Sequence, residues 1–146
     1  MSYQAKTIRT FIGAKKYDES RTFYQEMGFE EVILSPKMSL FKVNEQLGFY
    51  LQDYYVKKWC NNSMVFLEVD DIEKCHEELE SKGLHHKYKY VRLHPIKQFD
   101  WGRECFMHDP SGILWHFCQF DNWFPTIDNS GTTIIFISQN QLFLRH

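Results

Sequence analysis

The sequence lacks a concentration of charge of either sign. Seventeen Lys and Arg residues stand against nineteen Asp and Glu residues, giving a net charge of −2, and no block of like charge occurs. A nucleic-acid-binding domain normally carries a concentrated basic face, and a polybasic membrane anchor needs a cluster of Lys and Arg. We therefore expect neither nucleic acid nor a membrane as a partner.

Long apolar segments are also missing. No run approaches the ~20 residues that span a bilayer, and residues 1–6 lack the apolar core of a signal peptide. These features predict a cytoplasmic protein whose thiols stay reduced. The four cysteines form no CxxC or other zinc-ligand spacing, so buried thiols are the simpler interpretation. They are Cys60, Cys75, Cys105 and Cys118.

Signatures of common catalytic sites are absent as well. The sequence contains no GxSxG motif for a serine nucleophile and no HxxxH or HxH pair for a metal. The carboxylates Glu68 and Glu104 are interpreted as exposed strand residues, and Asp109 as a turn former. The residues favour binding over catalysis, although they leave an enzymatic activity open.

What the chain does contain is an internal repeat. When the sequence is shifted by 55 residues, residues 9–16 align with residues 64–71. In each copy a helical pattern follows, and it ends at a glycine before a large apolar residue, Gly28-Phe29 and Gly83-Leu84. A repeat of this period indicates one supersecondary unit that buries its apolar face against its twin. Two such units with a cleft between them suggest a binding site.

The pattern within each copy predicts one strand, one helix and three further strands. In the first copy, Asp18 is the expected N-cap, and Ser20, Phe23, Tyr24 and Met27 form an apolar stripe with helical spacing. In the second copy, Asp71 is the expected N-cap, and Gly83 the stop. The expected strands are 7–14, 30–34, 38–43 and 47–52 in the first copy, and 64–69, 88–93, 103–108 and 113–119 in the second.

The sequence therefore predicts an α+β fold. Two βαβββ modules, at about 7–53 and 63–120, form an open, barrel-like mixed sheet within a domain spanning 1–120. The link 54–62 is aromatic and basic, so we expect it to pack. Residues 121–146 form a strand-like C-terminal extension whose segment Thr132–Ile137 is strongly β-forming. Because such a segment aggregates when exposed, we expect the extension to pack on the domain or on a partner subunit.

Aromatic residues are unusually frequent, at 17% of the chain. Several occur in polar surroundings, among them Tyr50, Tyr54 and Trp59. Rigid aromatic surface with a polar group suits a pocket for a flat or bulky organic ligand. The alternative is that these residues form cross-strand pairs, as they do in many small β-rich domains.

Two motifs resemble those of a known superfamily. The segment from Asp100 to Phe117 reads DWGRECFMHDPSGILWHF. It is similar to WGxREF followed by DPxGNxxHF in bleomycin-resistance proteins, with one residue missing before the arginine and Cys105 replacing an aromatic residue. The opening FIGAKKYDES also fits. Over about residues 7–120 the chain resembles the vicinal oxygen chelate superfamily (glyoxalases, bleomycin-resistance proteins and extradiol dioxygenases), most closely its bleomycin-resistance-like branch.

The resemblance also identifies where a metal would bind. Enzymes of the superfamily hold a divalent ion with His or Gln in the first strand of each module and Glu in the last. Those positions here are Arg9, Tyr50, Met64 and His116, with Gln52 replacing Tyr50 if the register slips. A fixed cation repels metal, a thioether is too soft a ligand, and neutral Tyr is a weak one. The substitutions predict a metal-free site without a cofactor.

We therefore expect a metal-independent small-molecule binding protein that sequesters its ligand in an aromatic cleft and forms a homodimer. The ligand would be a small organic molecule, aromatic or glycopeptide-like, with Arg9 pairing with an anionic or carbonyl group and His116 exchanging a hydrogen bond. One alternative is a metal-dependent lyase or dioxygenase of the same superfamily, and a second is an interaction module without a ligand. The expected ligand-binding residues are Arg9, Phe41, Tyr50, Trp59, Met64, Phe66, Phe99, Trp101, Arg103 and His116.

Overall fold

The first module forms a four-stranded sheet with one helix. The structure, a computed structural model, describes residues 3–121, 125–127, 130, 133–136 and 142–144. The sheet, which we call sheet A, has the order β1-β4-β3-β2, with β1 parallel to β4. The elements are β1 (Phe11–Gly13), α1 (Tyr17–Glu26), β2 (Glu30–Ser35), β3 (Met38–Lys42) and β4 (Gly48–Gln52).

The second module forms a five-stranded sheet, sheet B. Its order is β5-β9-β8-β6, and β7 also pairs with β8. The predicted α+β class and the two modules are confirmed, but sheets A and B are separate and do not close into a barrel. The elements are α2 (Lys57–Asn62), β5 (Met64–Glu68), α3 (Ile72–Lys82), α4 (Leu84–Lys87), β6 (Arg92–Leu93), β7 (Lys97–Phe99), β8 (Gly102–His108) and β9 (Leu114–Phe120).

The register of the parallel pairs confirms the repeat. Phe11 lies opposite Tyr50 in sheet A, and Phe66 lies opposite His116 in sheet B. Phe11 and Phe66 are also the residues that the internal shift aligns. Each module therefore brings its first strand against its last in the same way.

The helices follow the predicted apolar pattern more closely than the predicted caps. All four residues of the α1 stripe are buried. The helix begins at Tyr17, however, with Lys16 as N-cap, so the predicted Asp18 cap is wrong. The buried Tyr17 hydroxyl shares a 3.0 Å hydrogen bond with Ser39 Oγ, which fixes the first turn one residue before Asp18. In α3, Asp71 caps the helix by accepting from Lys74 N.

Two other segments differ from the prediction. The expected strand at 88–93 is mostly absent because α4 ends only at Lys87, and β6 spans two residues. Pro95 lies between β6 and β7, and because proline lacks an N–H it interrupts the ladder on β8. The link between modules contains α2, whose Cys60 is buried, so the predicted packing of the link is confirmed.

The two modules share one core. Trp115 of β9 is buried and contacts Tyr24 of α1 and Phe49 of β4, with ring centroids 5.8 and 5.4 Å apart. Because side chains alternate along a strand, each sheet has a second face pointing away from this core. We call these surfaces open face A and open face B. Open face A includes Phe11, Tyr50 and Gln52, and open face B includes Phe66, Phe106 and His116.

The C-terminal extension forms a third sheet of antiparallel strands, β10 (Pro125–Ile127), β11 (Thr133–Phe136) and β12 (Leu142–Leu144). The predicted strand within Thr132–Ile137 is present as β11. The side chains of these strands, and with them the predicted packing of the extension, lie outside the described residues. None of the described helices has the length and apolar composition needed to cross a membrane.

Candidate functional site

A pocket of about 380 Å³ lies where open face A meets the link between modules. Its walls come from three elements: the first strand, the last strand of sheet A and helix α2 with the residues before it. Three of the eight lining residues are aromatic, and none is charged. The lining consists of Phe11, Gly13, Gln52, Tyr54, Val56, Trp59, Cys60 and Ser63.

The aromatic walls are preorganised by contacts with one another. Phe11 stacks on Tyr50 at 4.7 Å with an interplanar angle of 24°, and Tyr54 lies 6.0 Å from Trp59. About half or more of each of three rings remains exposed, at 55% for Phe11, 55% for Tyr54 and 63% for Trp59. Exposed rings that are fixed against their neighbours offer stacking surface without a large ordering cost.

Gly13 is needed for the shape of the pocket. A Cβ at this position would lie 2.4 Å from the carbonyl oxygen of Tyr54, so only glycine lets β1 approach the link this closely. The approach is held by Ala14 N, which hydrogen-bonds the carbonyl oxygens of Gln52 and Tyr54, both at 3.1 Å. Burial raises the pKa of the Cys60 thiol, and nearby Asp109 adds to this. The thiol therefore serves as apolar lining rather than as a nucleophile.

Arg9 lies beside the pocket with much of its hydrogen-bonding capacity unused. Its guanidinium lies 5.9 Å from the centroid of the Tyr50 ring, and Nη1 donates to the Tyr50 hydroxyl at 3.4 Å. Its Nε is buried without a hydrogen-bond partner. Within the described residues no carboxylate forms an ion pair with Arg9. A buried donor on an unpaired cation favours an anionic or carbonyl oxygen as its partner.

Open face B carries a second group of the predicted residues. His116 lies at its centre, with Nε2 3.4 Å from Met64 Sδ. The imidazole contacts Phe66 at 6.1 Å and Phe106 edge-on at 4.8 Å between ring centroids. Met64 and Phe66 are 66% and 50% exposed. The ring of His116 is therefore surrounded by a thioether and two phenyl rings on open face B.

A carboxylate lies beneath this imidazole. Glu104 is 4% exposed, and its Oε1 is 3.6 Å from His116 Nδ1. The interpretation of Glu104 as an exposed strand residue is therefore wrong, because the ladder places it opposite Cys118 on β9 and Lys97 on β7. Burial raises the pKa of Cys118 to about 11, with Glu104 acting in the same direction.

Two of the predicted ligand-binding residues do not lie on an open face. Phe41 is 0% exposed, since its position on β3 points into the shared core beside Phe49. Arg103 is directed to the helix side of sheet B, where it pairs with Glu73 of α3 and donates to Gln119 Oε1 at 3.2 Å. Both assignments are wrong for the same reason: one step along a strand turns a side chain to the other face.

The other predicted residues form two groups. Arg9, Tyr50 and Trp59 lie on or beside open face A. Met64, Phe66, Phe99 and His116 lie on open face B, with Trp101 at its end, stacked on Phe99 at 4.9 Å and 9°. Over residues 3–121, no hydrogen bond, ion pair or ring contact links the two groups. The predicted ligand-binding set also left out Phe11, Gln52 and Tyr54, although the position of Phe11, two residues after Arg9, was a usable signal.

The four positions where the superfamily holds metal come together only in pairs. Arg9 contacts Tyr50, and Met64 contacts His116. A guanidinium, a phenol, a thioether and one imidazole do not fit a divalent metal, which prefers imidazole and carboxylate ligands in such sites. Within the described part of the chain, no group of three or more His, Cys, Asp or Glu side chains is arranged to hold an ion. We therefore derive no chemistry through a metal.

Comparison with known proteins finds relatives by structure only. No protein-family model matches the sequence, and no curated protein matches it. A bleomycin-binding protein from bleomycin-producing Streptomyces verticillus, complexed with copper(II)-bleomycin, superimposes with a TM-score of 0.68 and 17% identity, over 82% of this chain and 100% of its own. The bleomycin resistance determinant encoded on transposon Tn5 superimposes with a TM-score of 0.62 and 20% identity, over 77% of this chain and 97% of its own.

A third neighbour is a metal-containing protein. The fosfomycin resistance protein FosX from Listeria monocytogenes, complexed with Mn(II) and 1S,2S-dihydroxypropylphosphonic acid, gives a TM-score of 0.62 at 13% identity, over 84% of this chain and 95% of its own. The neighbours thus include both antibiotic-binding proteins and a Mn(II) complex. With its paired βαβββ modules, the chain has the fold of the vicinal oxygen chelate superfamily, as seen in the bleomycin-binding proteins.

Proposed function

We propose that this protein binds a planar organic ligand without a metal and acts by sequestration rather than by catalysis. The observation that carries the proposal is the aromatic pocket on open face A with the unpaired guanidinium of Arg9 beside it. Stacking on Trp59, Tyr54 and Phe11 supplies affinity, since each aromatic contact contributes about 0.5–1.5 kcal/mol beyond area burial. The thiol that lines the pocket, Cys60, has a pKa raised by burial, so it is not activated as a nucleophile.

The contacts of Arg9 indicate the shape of the ligand. Its guanidinium lies 5.9 Å from the centroid of the Tyr50 ring, and that ring stacks at 4.7 Å on Phe11, which lines the pocket. A ligand whose ring lies in the pocket would therefore reach Arg9 with an anionic group at its edge. We therefore infer an aromatic or heteroaromatic ligand with a carboxylate, sulfonate, phosphate or polarised carbonyl.

The structural neighbours support binding in general terms. Two of them are named for binding or resisting bleomycin. Their low identity leaves the ligand of this chain open, so bleomycin is the first natural compound to test. The metal-dependent alternative has a neighbour in its favour, FosX, but the donor set at the equivalent positions of this chain does not support it.

A homodimer is part of the proposal. Both open faces expose large apolar side chains, including Phe11 and Val32 on face A and Met64 and Phe66 on face B. Open face A carries Arg9, which has no ion-pair partner among the described residues, whereas open face B carries the exposed Glu68. Contact between face A of one subunit and face B of a second would cover the apolar side chains and juxtapose opposite charges. The ligand would then lie between two faces rather than on one.

The test uses two matched fluorescent probes. Anilinonaphthalene sulfonate has the ring and the anion, and N-phenylnaphthylamine has the same rings without the sulfonate. We expect Trp59→Ala to weaken both by about tenfold or more, the effect of a lost aromatic anchor. Arg9→Gln should weaken only the sulfonate, because the guanidinium contacts only the anion.

Control variants separate the site from the general surface. Tyr90→Ala removes an aromatic ring that is 58% exposed but lies outside the pocket, and Lys6→Gln removes an exposed cation near Arg9 in sequence. Neither should alter binding of either probe. The proposal is wrong if wild-type protein binds neither probe saturably, or if Tyr90→Ala weakens binding as much as Trp59→Ala.

A further inference from the structure

The β6 edge of sheet B carries an arginine and two histidines that the proposed pocket does not use. Arg92 of β6 lies directly opposite His108 of β8, so both side chains are on the same face of the sheet. The next pair along the ladder, Leu93 and Met107, packs in the core or against it. The first pair therefore faces the other way, onto open face B. The ring of His94 lies 5.9 Å from that of His108, and we call these three residues, Arg92, His94 and His108, the edge cluster.

The guanidinium of Arg92 is held in place, but part of it has no partner. Its Nη1 donates to the carbonyl oxygens of Lys89 and Val91 at 2.8 and 2.9 Å. Within residues 3–121, its other two nitrogens form no hydrogen bond, and no carboxylate forms an ion pair with it. Nε and Nη2 together form one of the edges through which a guanidinium binds an anion with two parallel hydrogen bonds. Arg92 therefore presents a preorganised edge for two oxygen atoms.

The backbone of His94 is fixed on both sides. Its N–H donates to the carbonyl oxygen of Phe106 at 2.9 Å, and its own carbonyl oxygen accepts from Nε2 of His76 at 3.2 Å. Pro95 follows, and a residue before proline is restricted to extended conformations. His94 is nevertheless exposed, so a rigid backbone presents its imidazole to solvent beside His108.

The electrostatic surroundings of the edge cluster favour an anion. Burial lowers the pKa of His108, and the nearby His94 and Arg92 act in the same direction. The carboxylates of open face B lie elsewhere. Glu68 is on β5, at the opposite end of the strand order from β6. Glu104 is four residues from His108 along β8, roughly 13 Å at the rise of a strand.

The number of donors indicates the class of anion. The free edge of the Arg92 guanidinium takes two oxygen atoms, and a carboxylate has only two. A phosphoryl group has three terminal oxygens, so the third can accept a hydrogen bond from an imidazole N–H of His94 or His108. We propose that the edge cluster is a binding site for the phosphoryl group of a small soluble molecule, such as a phosphate monoester. This site is separate from the pocket on open face A and is tested separately.

The probes are methyl phosphate and acetate, neither of which has a ring to occupy the aromatic pocket. Binding is measured by titration calorimetry at constant ionic strength, so that general screening is the same for both anions. For wild-type protein we expect saturable binding of methyl phosphate, at least about tenfold tighter than that of acetate, because acetate leaves the imidazoles without an acceptor. Bound methyl phosphate should also raise the pKa of His108, measured by nuclear magnetic resonance, since an anion favours the charged imidazole.

Variants of the edge cluster assign the binding to its members. Arg92→Gln should weaken the binding of methyl phosphate at least about tenfold, because the charge-assisted pair of hydrogen bonds is lost. Arg92→Lys keeps the charge without the two-nitrogen edge, so it should restore only part of the affinity. His94→Gln should weaken binding by about threefold or more. Lys89→Gln is the matched control, since it removes an exposed cation near Arg92 but leaves the backbone carbonyl that Arg92 contacts, and it should not change binding.

Three outcomes would overturn the proposal. The first is no saturable binding of methyl phosphate by the wild-type protein, together with an unchanged pKa of His108, a result that needs no variant to fold. The second is equal binding by the wild type and Arg92→Gln. The third is binding to vesicles that contain phosphatidic acid without binding of methyl phosphate, which would replace the small soluble ligand with a lipid headgroup.

The proposed pocket and the edge cluster can fail independently. Loss of methyl phosphate binding in Arg9→Gln rather than in Arg92→Gln would place the anion at open face A, which overturns the edge cluster and supports the pocket. Conversely, methyl phosphate binding that depends on Arg92, in a protein that binds neither naphthalene probe, keeps the edge cluster and overturns the pocket.

Discussion

The buried carboxylate Asp109 makes the stability of this protein depend on pH in an unusual direction. Asp109 is 0% exposed in the turn between β8 and β9. Its Oδ1 accepts from Ser111 N at 2.8 Å and Ile113 N at 2.9 Å, and its Oδ2 accepts from the Tyr24 hydroxyl at 2.7 Å. Burial nevertheless raises the pKa of Asp109 from 3.8 to about 6, against the opposing effect of these hydrogen bonds.

The size of the effect follows from the shift in pKa. A carboxyl whose pKa is higher in the folded state favours folding when it is protonated. Its contribution is complete below the unfolded value near 3.8 and is lost as the pH rises through about 6. A pKa that is higher by about two in the folded state corresponds to roughly 3 kcal/mol, because each pKa unit is worth about 1.36 kcal/mol. As the pH falls from 7 to 4, we therefore expect the contribution of Asp109 to the free energy of unfolding to rise by about 2–3 kcal/mol.

The measurement compares wild type with Asp109→Asn by urea denaturation at several pH values in this window. Because every other group titrates in both proteins, the difference between their unfolding free energies isolates Asp109. That difference should change in favour of wild type by about 2–3 kcal/mol as the pH falls from 7 to 4. The control is Asp70→Asn, which removes an exposed carboxylate outside this hydrogen-bond network. A constant difference for Asp109→Asn, or one that moves against wild type in acid, would refute the reasoning.

Three further predictions concern the network, metal and assembly. Tyr24→Phe should lower the free energy of unfolding by about 2–5 kcal/mol, measured by urea denaturation. The reason is that it leaves both Asp109 Oδ2 and Trp115 Nε1 without the Tyr24 hydroxyl as a buried partner. A loss under about 1 kcal/mol would contradict this. We expect desalted protein to retain less than about one metal ion per ten chains after loading with excess nickel, zinc or manganese, as measured by elemental analysis. Stoichiometric metal binding that is lost in His116→Ala would favour the enzyme alternative. Sedimentation at micromolar concentration should show a dimer that Phe66→Glu dissociates, whereas a wild-type monomer would rule the assembly out.

The sequence predicted those features that repeat or follow a period. The shift of 55 residues aligned the two modules, and the parallel registers of Phe11 and Phe66 follow it. The helical stripe of α1 and the Asp71 cap were equally predictable, because spacing and capping chemistry are local. The short helix α4 and the interrupted strand before β8 were not, since their form depends on Pro95 and on packing against β8 rather than on periodicity.

The candidate site was predictable only in part, because side-chain direction depends on register. Arg9, Tyr50, Met64 and His116 were assigned from the resemblance to the superfamily, and the structure places them in two contacting pairs. Phe41 and Arg103 were assigned to the wrong side of their strands, as their neighbours in sequence were equally plausible. Glu104 is buried without any local sign of it, because its burial comes from cross-strand neighbours on β7 and β9.

The repeat also explains how one scaffold presents two different chemistries. The same two positions of each module face away from the core, and they hold Arg9 and Tyr50 in the first module but Met64 and His116 in the second. The first pair gives open face A a cation over an aromatic ring, and the second gives open face B a base over a buried carboxylate. Neither pair has the imidazole and carboxylate donors that a divalent ion prefers in such sites. Because the sheets keep their register while these side chains differ, equivalent positions of the two modules present different chemical groups on the two open faces.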